Sequence, residues 1–295
     1  MEHIVSTQQA GQTVRQVALG TLKLSRGALS RLKFTGGIRL NGQQARSTQR
    51  VSAGDVLCFV LTEPDVPQPL PSPHPLMAVW EDEHLLIADK PAPLATLPSR
   101  HQQGETLVNR VYSHLGCPEH FVYRPVNRLD KGTSGLLCIA KDAHIHQLLQ
   151  RQLHTGLFER EYLAVCQGAP PEEQGVIDLP LGKGEGILRR VDPQGRKAVT
   201  LYQVLRRKGS YSLLKLSLLT GRTHQIRAHV SAIGCPIVGD YLYGTPHPAL
   251  PGRFALHAFH LRLRHPISGQ DLCLESPLPK ELRNLLEYPQ PQTNI

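Results

Sequence analysis

Apolar residues recur at helical spacing at Val14, Val17, Ala18 and Leu22, and again at Leu29 and Leu32, which predicts two short helices near the start of the chain. Ser25 stands where a side-chain oxygen caps the second helix. Arg26, Ser30 and Lys33, spaced by four and then three, fall on the face opposite the leucines. Gly36-Gly37 stops the helix. Ile38 and Leu40 then alternate into Asn41-Gly42, a hairpin signal, and Gly54-Asp55 leads into a strand over Val56–Val60. After this small unit (residues 1–62) comes EPDVPQPLPSPHP, residues 63–75, with proline at 64, 67, 69, 71, 73 and 75. So many missing amides exclude helix and central strand, and predict an extended, semi-rigid linker. The remainder, residues 76–295, forms a larger second domain.

In that domain the pattern predicts a strand over Leu85–Asp89 and a helix over Leu107–Leu115. The compact apolar run Leu136–Ala140 suits a buried strand. A helix should start near Thr223 with Ile226, Val230 and Ile233 inward, and PLPKELRNLLEY, residues 277–288, reads as a closing amphipathic helix before a polar tail. Many short strands without steady strand–helix alternation predict an α+β fold with a largely antiparallel sheet, not a doubly wound parallel one.

Charge sharpens this picture. The chain of 295 residues carries a formal net charge of +9. Residues 1–62 hold Arg15, Lys23, Arg26, Arg31, Lys33, Arg39, Arg46 and Arg50 against Glu2 and Asp55, so two-thirds of the excess sits in one-fifth of the chain. A concentrated basic face favours a polyanionic partner. No apolar run approaches a membrane span, and the first residues lack a signal core. The six cysteines never form a CxxC pair, which disfavours structural zinc and a disulfide framework. The expectation is a reduced, cytoplasmic protein with no membrane association.

The candidate chemistry lies in two stretches. RPVNRLDKGTSGLLCIAKD, residues 124–142, places Asp130 in a glycine-rich turn just before the buried strand. Arg128 and Lys131 flank it, and positive neighbours favour the ionised form. An N-cap or a surface ion pair is the plainer fate of such an aspartate. LLTGRTHQIRAHVSAIGCPIVGDYLYG, residues 218–244, places Arg222 at a helix start, where it can bind an anion or pair with a carboxylate; Arg227 can do likewise or contact phosphate. His224 and His229 lie five apart, off a common helical face, so a metal pair is not expected. LGKGEG, residues 181–186, lacks the GK[ST] ending of a phosphate loop and is read as a plain loop. His257 and His260, in LHAFH, are read as part of a core-filling strand or short helix. Tyr162, in REYLAV, is on local pattern alone a strand residue packed on the core.

Longer motifs, taken together, resemble a known family. RLDKGTSGLLCIAKD and LLTGRTHQIRAH…G.PIVGD..YG, with RxYLAV at 160–165, GRKAVT at 195–200 and LHAFHLRLRHP at 256–266, are similar to the RluA-type pseudouridine synthases across residues 78–288. LSRGALSRLKFTGGIRLNG…VSAGDVL, within residues 11–62, resembles the S4-type RNA-binding domain. The resemblance implies a central mixed sheet crossed by the active cleft, and isomerisation of uridine to pseudouridine in structured RNA. It implies Asp130 as the essential aspartate, paired with and positioned by Arg222. Arg128 would fill the gap left by the flipped nucleotide, and Tyr162 would lie on the uracil face and assist proton abstraction at C5. Arg26, Arg31, Lys33 and Arg227 are the expected RNA contacts of the two domains. Two positions depart from the family pattern. Asn127 replaces the common histidine and is expected near the RNA backbone; Gly132 replaces a common aspartate, with a more flexible loop the expected effect.

No cofactor or metal is required, since the reaction oxidises nothing. The expected partner is structured RNA, with large-subunit ribosomal RNA favoured and transfer RNA the alternative, acted on by a monomer. The rival is a non-catalytic RNA-binding or ribosome-assembly protein, which has no reason to combine the aspartate, the tyrosine and the arginine.

Overall fold

The computed structural model describes residues 1–24, 26–60, 67–99, 104–153 and 155–287. Ser25, residues 61–66, which include the start of the proline-rich segment, residues 100–103 and 154, and the tail beyond Glu287 lie outside the described residues.

The first sixty residues build their own sheet. Strand β1 (Glu2–Ile4) is followed by helix α1 (Val14–Gln16), which continues into a π-helical turn (Val17–Thr21), and by α2 (Arg26–Phe34). Then come β2 (Ile38–Leu40), β3 (Gln43–Gln44) and β4 (Val56–Phe59), in the antiparallel order β1-β4-β2-β3. Val14, Val17, Leu29, Leu32, Ile38, Leu57 and Phe59 close a core between helices and sheet. Asn41 and Gly42 both take positive φ, 50° and 79°, the geometry that a tight two-residue hairpin demands. Asn41 Nδ2 donates to Asp55 Oδ1 at 2.9 Å, and Asn41 Oδ1 accepts from the Val56 amide at 2.8 Å. The two turns are thereby laced together. Arg26, Arg31 and Lys33 are exposed along α2.

The second sheet has ten strands and holds the larger core. In chain order the elements are β5 (Ala78–Glu81), β6 (Leu85–Lys90), α3 (Leu107–His114), β7 (Arg124–Pro125), β8 (Ser134–Ala140), α4 (Ala143–Gln152) and β9 (Phe158–Gln167). They continue with β10 (Gln174–Asp178), a separate hairpin of β11 (Leu181–Lys183) and β12 (Arg189–Val191), then β13 (Val199–Lys208), β14 (Tyr211–Leu218) and α5 (Gln225–Ala232). β15 (Leu256–Arg264), β16 (Asp271–Glu275) and α6 (Lys280–Glu287) complete the order. The sheet runs β10-β13-β14-β9-β15-β8-β6-β5, with β16 beside β15 and β7 beside β8. Among the described residues the β8–β15 pair alone is parallel; the rest are antiparallel, as the α+β expectation of a mixed, largely antiparallel sheet requires.

The apolar run of β8 has a direct cause. Leu137 and Ile139 join the core under α3, α5 and α6, while Leu136, Cys138 and Ala140 face the opposite core under α4. A strand covered on both faces needs no polar alternation. At its start, Gly135 sits at φ +109°, and a Cβ there would lie 2.2 Å from the Ala258 carbonyl oxygen. Only glycine admits this approach of β8 to β15.

One sequence expectation needs correction. Residues 181–186 are not a plain loop, because Leu181–Lys183 pairs with Arg189–Val191. The described part of the proline-rich segment is extended and is anchored on the larger domain. Asn109 Nδ2 donates to the Leu70 carbonyl at 2.8 Å, the Ser72 amide donates to Ser113 Oγ at 2.7 Å, and the Phe121 amide donates to Gln68 Oε1 at 3.1 Å. Prolines leave their carbonyls and neighbours' amides free, and α3 and its flanks take them up.

Candidate active site

Asp130 lies in the turn that feeds β8, closed by the Thr133 amide donating to the Asp130 carbonyl at 3.0 Å. The turn is braced from behind by the segment after β6. Thr96 Oγ1 donates to the Leu129 carbonyl at 2.6 Å, the Leu94 amide donates to the Lys131 carbonyl at 2.9 Å, and buried Lys90 Nζ donates to the Leu94 carbonyl at 2.7 Å. Burial lowers the Lys90 pKa to about 7, outweighing the raising charges of Asp130 and Asp89. The Asp130 side chain is 30% exposed, so it is held yet reachable.

The cation that meets Asp130 is Arg227. Its Nη1 donates to Asp130 Oδ2 at 3.0 Å, while Nε and Nη2 grip the two oxygens of Asp240 at 2.7 and 2.8 Å. Asp240 is wholly buried, and its Oδ1 also accepts from the Leu242 amide at 3.0 Å. The guanidinium lies over the rings of Phe254 and Tyr243, at 4.2 and 5.1 Å from their centroids. Burial alone would lower the Arg227 pKa; the hydrogen bonds and charges of Asp240 and Asp130 outweigh it and leave it raised. A planar fork is what allows one side chain to serve two carboxylates.

Several expectations change here. Arg222 does not pair with Asp130: it is exposed, and its Nε donates to the Lys197 carbonyl at 3.0 Å. Arg227 is not an RNA contact, being 2% exposed and committed to carboxylates. The sequence treated both arginines as candidates, but helix α5 begins after Arg222 and turns Arg227 inward. Asn127 is buried, and its Oδ1 accepts from the Cys138 amide at 2.9 Å, so it braces β8 and does not face RNA. Gly132 does not loosen its loop. A Cβ there would meet the Phe254 ring at 2.6 Å, so that ring occupies the space a side chain would need.

Arg128, Asp130, Tyr162, Arg222, His224 and Ile226 line one pocket, with Leu129, Leu218 and Leu256 as its apolar wall. Tyr162, on β9 between β14 and β15, is 5% exposed. Burial raises its pKa, chiefly by desolvation, so it is a neutral phenol. That suits a planar contact with a base and does not suit a resting proton acceptor. Arg128 is exposed at the rim.

Sequence reasoning missed Asp240, Phe254, Tyr243 and the position of His224. Asp240 stands in the quoted VGDYLYG, with no local pattern that marks it as a partner of Arg227. His229 and His257 are structural. His229 Nε2 and Nδ1 meet the Leu179 carbonyl and Thr200 Oγ1 at 2.9 Å each, and His257 meets Ser134 Oγ at 2.9 Å and the Ser276 carbonyl at 3.1 Å. Burial lowers both pKa values from 6.5. In that case the unfolded chain binds more protons as pH falls, so their contribution is present above about 6.5 and lost below it. Urea midpoints are therefore expected to fall between pH 7 and about 5, above the carboxylate range; a flat or rising midpoint would contradict these neutral, buried rings. Among the described residues no group of three or more His, Cys, Asp or Glu is arranged to hold a metal ion, and no helix is long and apolar enough to cross a membrane.

The family sequence model described as RNA pseudouridylate synthase matches residues 84–232, which include Asp130, Tyr162 and Arg227. The chain belongs to that family. An uncharacterised RNA pseudouridine synthase of Bacillus subtilis, YjbO, is 35% identical over 280 residues, 93% of this chain and 98% of that one. The ribosomal large subunit pseudouridine synthase D of Zymomonas mobilis is 36% identical over 254 residues, 78% of each chain. Among solved structures, human RNA pseudouridylate synthase domain containing 1 has a TM-score of 0.57 at 26% identity, covering 73% of this chain and 86% of its own. As a pseudouridine synthase of the RluA type, the chain is an isomerase acting on RNA.

Proposed function

We propose that this pseudouridine synthase converts uridine to pseudouridine in structured large-subunit ribosomal RNA, with Asp130 as the reacting carboxylate. The observation that carries the assignment of Asp130 is its ion pair with a buried arginine anchored on a second, buried aspartate, at the edge of a pocket walled by Tyr162. Ribosomal RNA is supported by the relatives of Zymomonas mobilis and Nitrosomonas europaea, both named for the large ribosomal subunit. The exposed Arg26, Arg31 and Lys33 on α2, in a unit that resembles the S4-type domain, support a structured polyanion as the partner. Action on ribosomal RNA also implies work in the cytoplasm.

In this reading the target nucleotide leaves its stack at a cost of a few kcal/mol, roughly, and Arg128 at the rim fills the gap. The N1–C1′ bond breaks, the uracil turns, and C5 joins C1′; the C5 proton leaves and N1 gains one. Asp130 either attacks C1′ or removes a ribose proton. Arg227 keeps the carboxylate ionised and aimed in both routes. Tyr162 supports the flat base without fixing one edge, as turning requires. Arg222, exposed beside the pocket, is placed to meet a phosphate.

Pseudouridine mapping of total RNA from cells with and without the gene tests the substrate. A large-subunit site that disappears, returns with wild type and stays absent with Asp130→Asn is the expected result. A lost site confined to transfer RNA would overturn the ribosomal assignment and keep the chemistry.

A further inference from the structure

His224 precedes α5 in a left-handed conformation, φ 56° and ψ 19°, which histidine adopts less readily than glycine. Its side chain does not cap the helix. A strained backbone that yields no cap calls for another use of the ring. The ring points into the pocket of Asp130 and Tyr162, with the side chain 11% exposed.

Its two nitrogens have different surroundings. Nδ1 lies 3.1 Å from the Tyr243 hydroxyl, and the two rings meet edge to face at 86°. That hydroxyl accepts from the Arg189 amide at 2.8 Å and still has its own hydrogen to give to Nδ1. With the hydroxyl as donor to Nδ1, the proton of the neutral ring sits on Nε2, the tautomer assigned in the proposal below. Burial lowers the His224 pKa, more than the nearby Asp130 raises it, and so favours this neutral form. Nε2 is 4.0 Å from Asp130 Oδ2, beyond hydrogen-bond length, so the N–H is not consumed by the carboxylate. In that tautomer a donor is left facing the space beside Asp130.

We propose that His224 is a further catalytic residue, whose Nε2–H donates a hydrogen bond to the uracil carbonyl that gathers charge as the glycosidic bond breaks. This rests on the uridine-isomerising reading above. When N1–C1′ breaks, the bonding pair leaves with the uracil, and its charge spreads over the ring and the carbonyl oxygens. The pair that forms C5–C1′ returns from that same ring, and the C5 proton is replaced by one on N1. His224 transfers no proton; it lowers the energy of the separated base. Its donor lies close to Asp130, which must lie close to C1′, so a carbonyl adjacent to the broken bond falls within its reach.

The test compares the purified full chain with its His224→Gly and Tyr243→Phe variants in single-turnover conversion of target RNA. Glycine relieves the left-handed backbone, so the fold is kept while the donor is lost. Its rate constant should fall by about 10²-fold, the effect of deleting one preorganised donor, with RNA affinity within about threefold of wild type. Tyr243→Phe keeps the ring and frees its tautomer, and should lose less, about 10-fold. Nitrogen NMR of the wild-type ring should report the Nε2–H form. A rate within threefold of wild type for His224→Gly, a loss explained wholly by weaker RNA binding, or an Nδ1–H ring would each overturn the proposal. Wild type that converts no RNA would instead sink the functional reading and this role with it.

Discussion

Asp130→Asn is expected to give a folded protein that binds RNA and makes no pseudouridine. The substitution keeps the shape of the side chain and removes only its charge and basicity. Because Asp130 is partly exposed and Arg227 remains held by Asp240, the fold loses one charge-assisted hydrogen bond, about 1–3 kcal/mol. The chemistry loses its only proposed nucleophile or base. An amide performs neither task, so the turnover rate should drop by on the order of 10⁴-fold or more. Single-turnover assays with binding measured in parallel decide the matter. Residual activity above about one per cent, or parallel loss of binding and folding, would remove Asp130 from the reaction.

Arg227→Met should produce the second large effect, on stability and on rate together. Asp240 is wholly buried and takes two of its hydrogen bonds from this guanidinium. Removing one partner of such a pair strands a charge, at about 3–5 kcal/mol. Activity should fall as well, because Asp130 loses its anchor. Adding Asp240→Asn removes the stranded charge and keeps an oxygen for the Leu242 amide. The double variant should regain much of the stability in urea and none of the activity. Recovery of both would mean that Arg227 serves the fold alone.

How much of this was legible follows from the range of each interaction. The β8 run and the helices α3 and α6 were readable because burial on a face is written as local periodicity. The hairpin at Asn41-Gly42 was readable because positive φ restricts residue type. The Asp130 turn was visible in its glycines and in the long motif. The choice between Arg222 and Arg227 was not, because it depends on which side of the α5 start faces the Asp130 turn. Asp240 and Phe254 reach the site from loops far along the chain, and no local spacing encodes that meeting. Gly132 and Phe254 form a pair whose complementarity appears only when both are in place. Asn127 looked like a surface residue because its partner, the Cys138 amide, becomes available only once β7 and β8 are set side by side.

The parallel pairing of β15 with β8 has a consequence for a chain leaving the ribosome. The small sheet is complete once Phe59 has emerged, and it can fold while the rest is still being made. The catalytic turn cannot be finished then, since Ser134 meets His257 across 123 residues and Phe254 must pack on Gly132. Nascent chains would therefore hold a basic unit able to touch RNA well before they hold a working carboxylate. Translation order itself delays base chemistry until Phe254 and His257 have been made and have emerged.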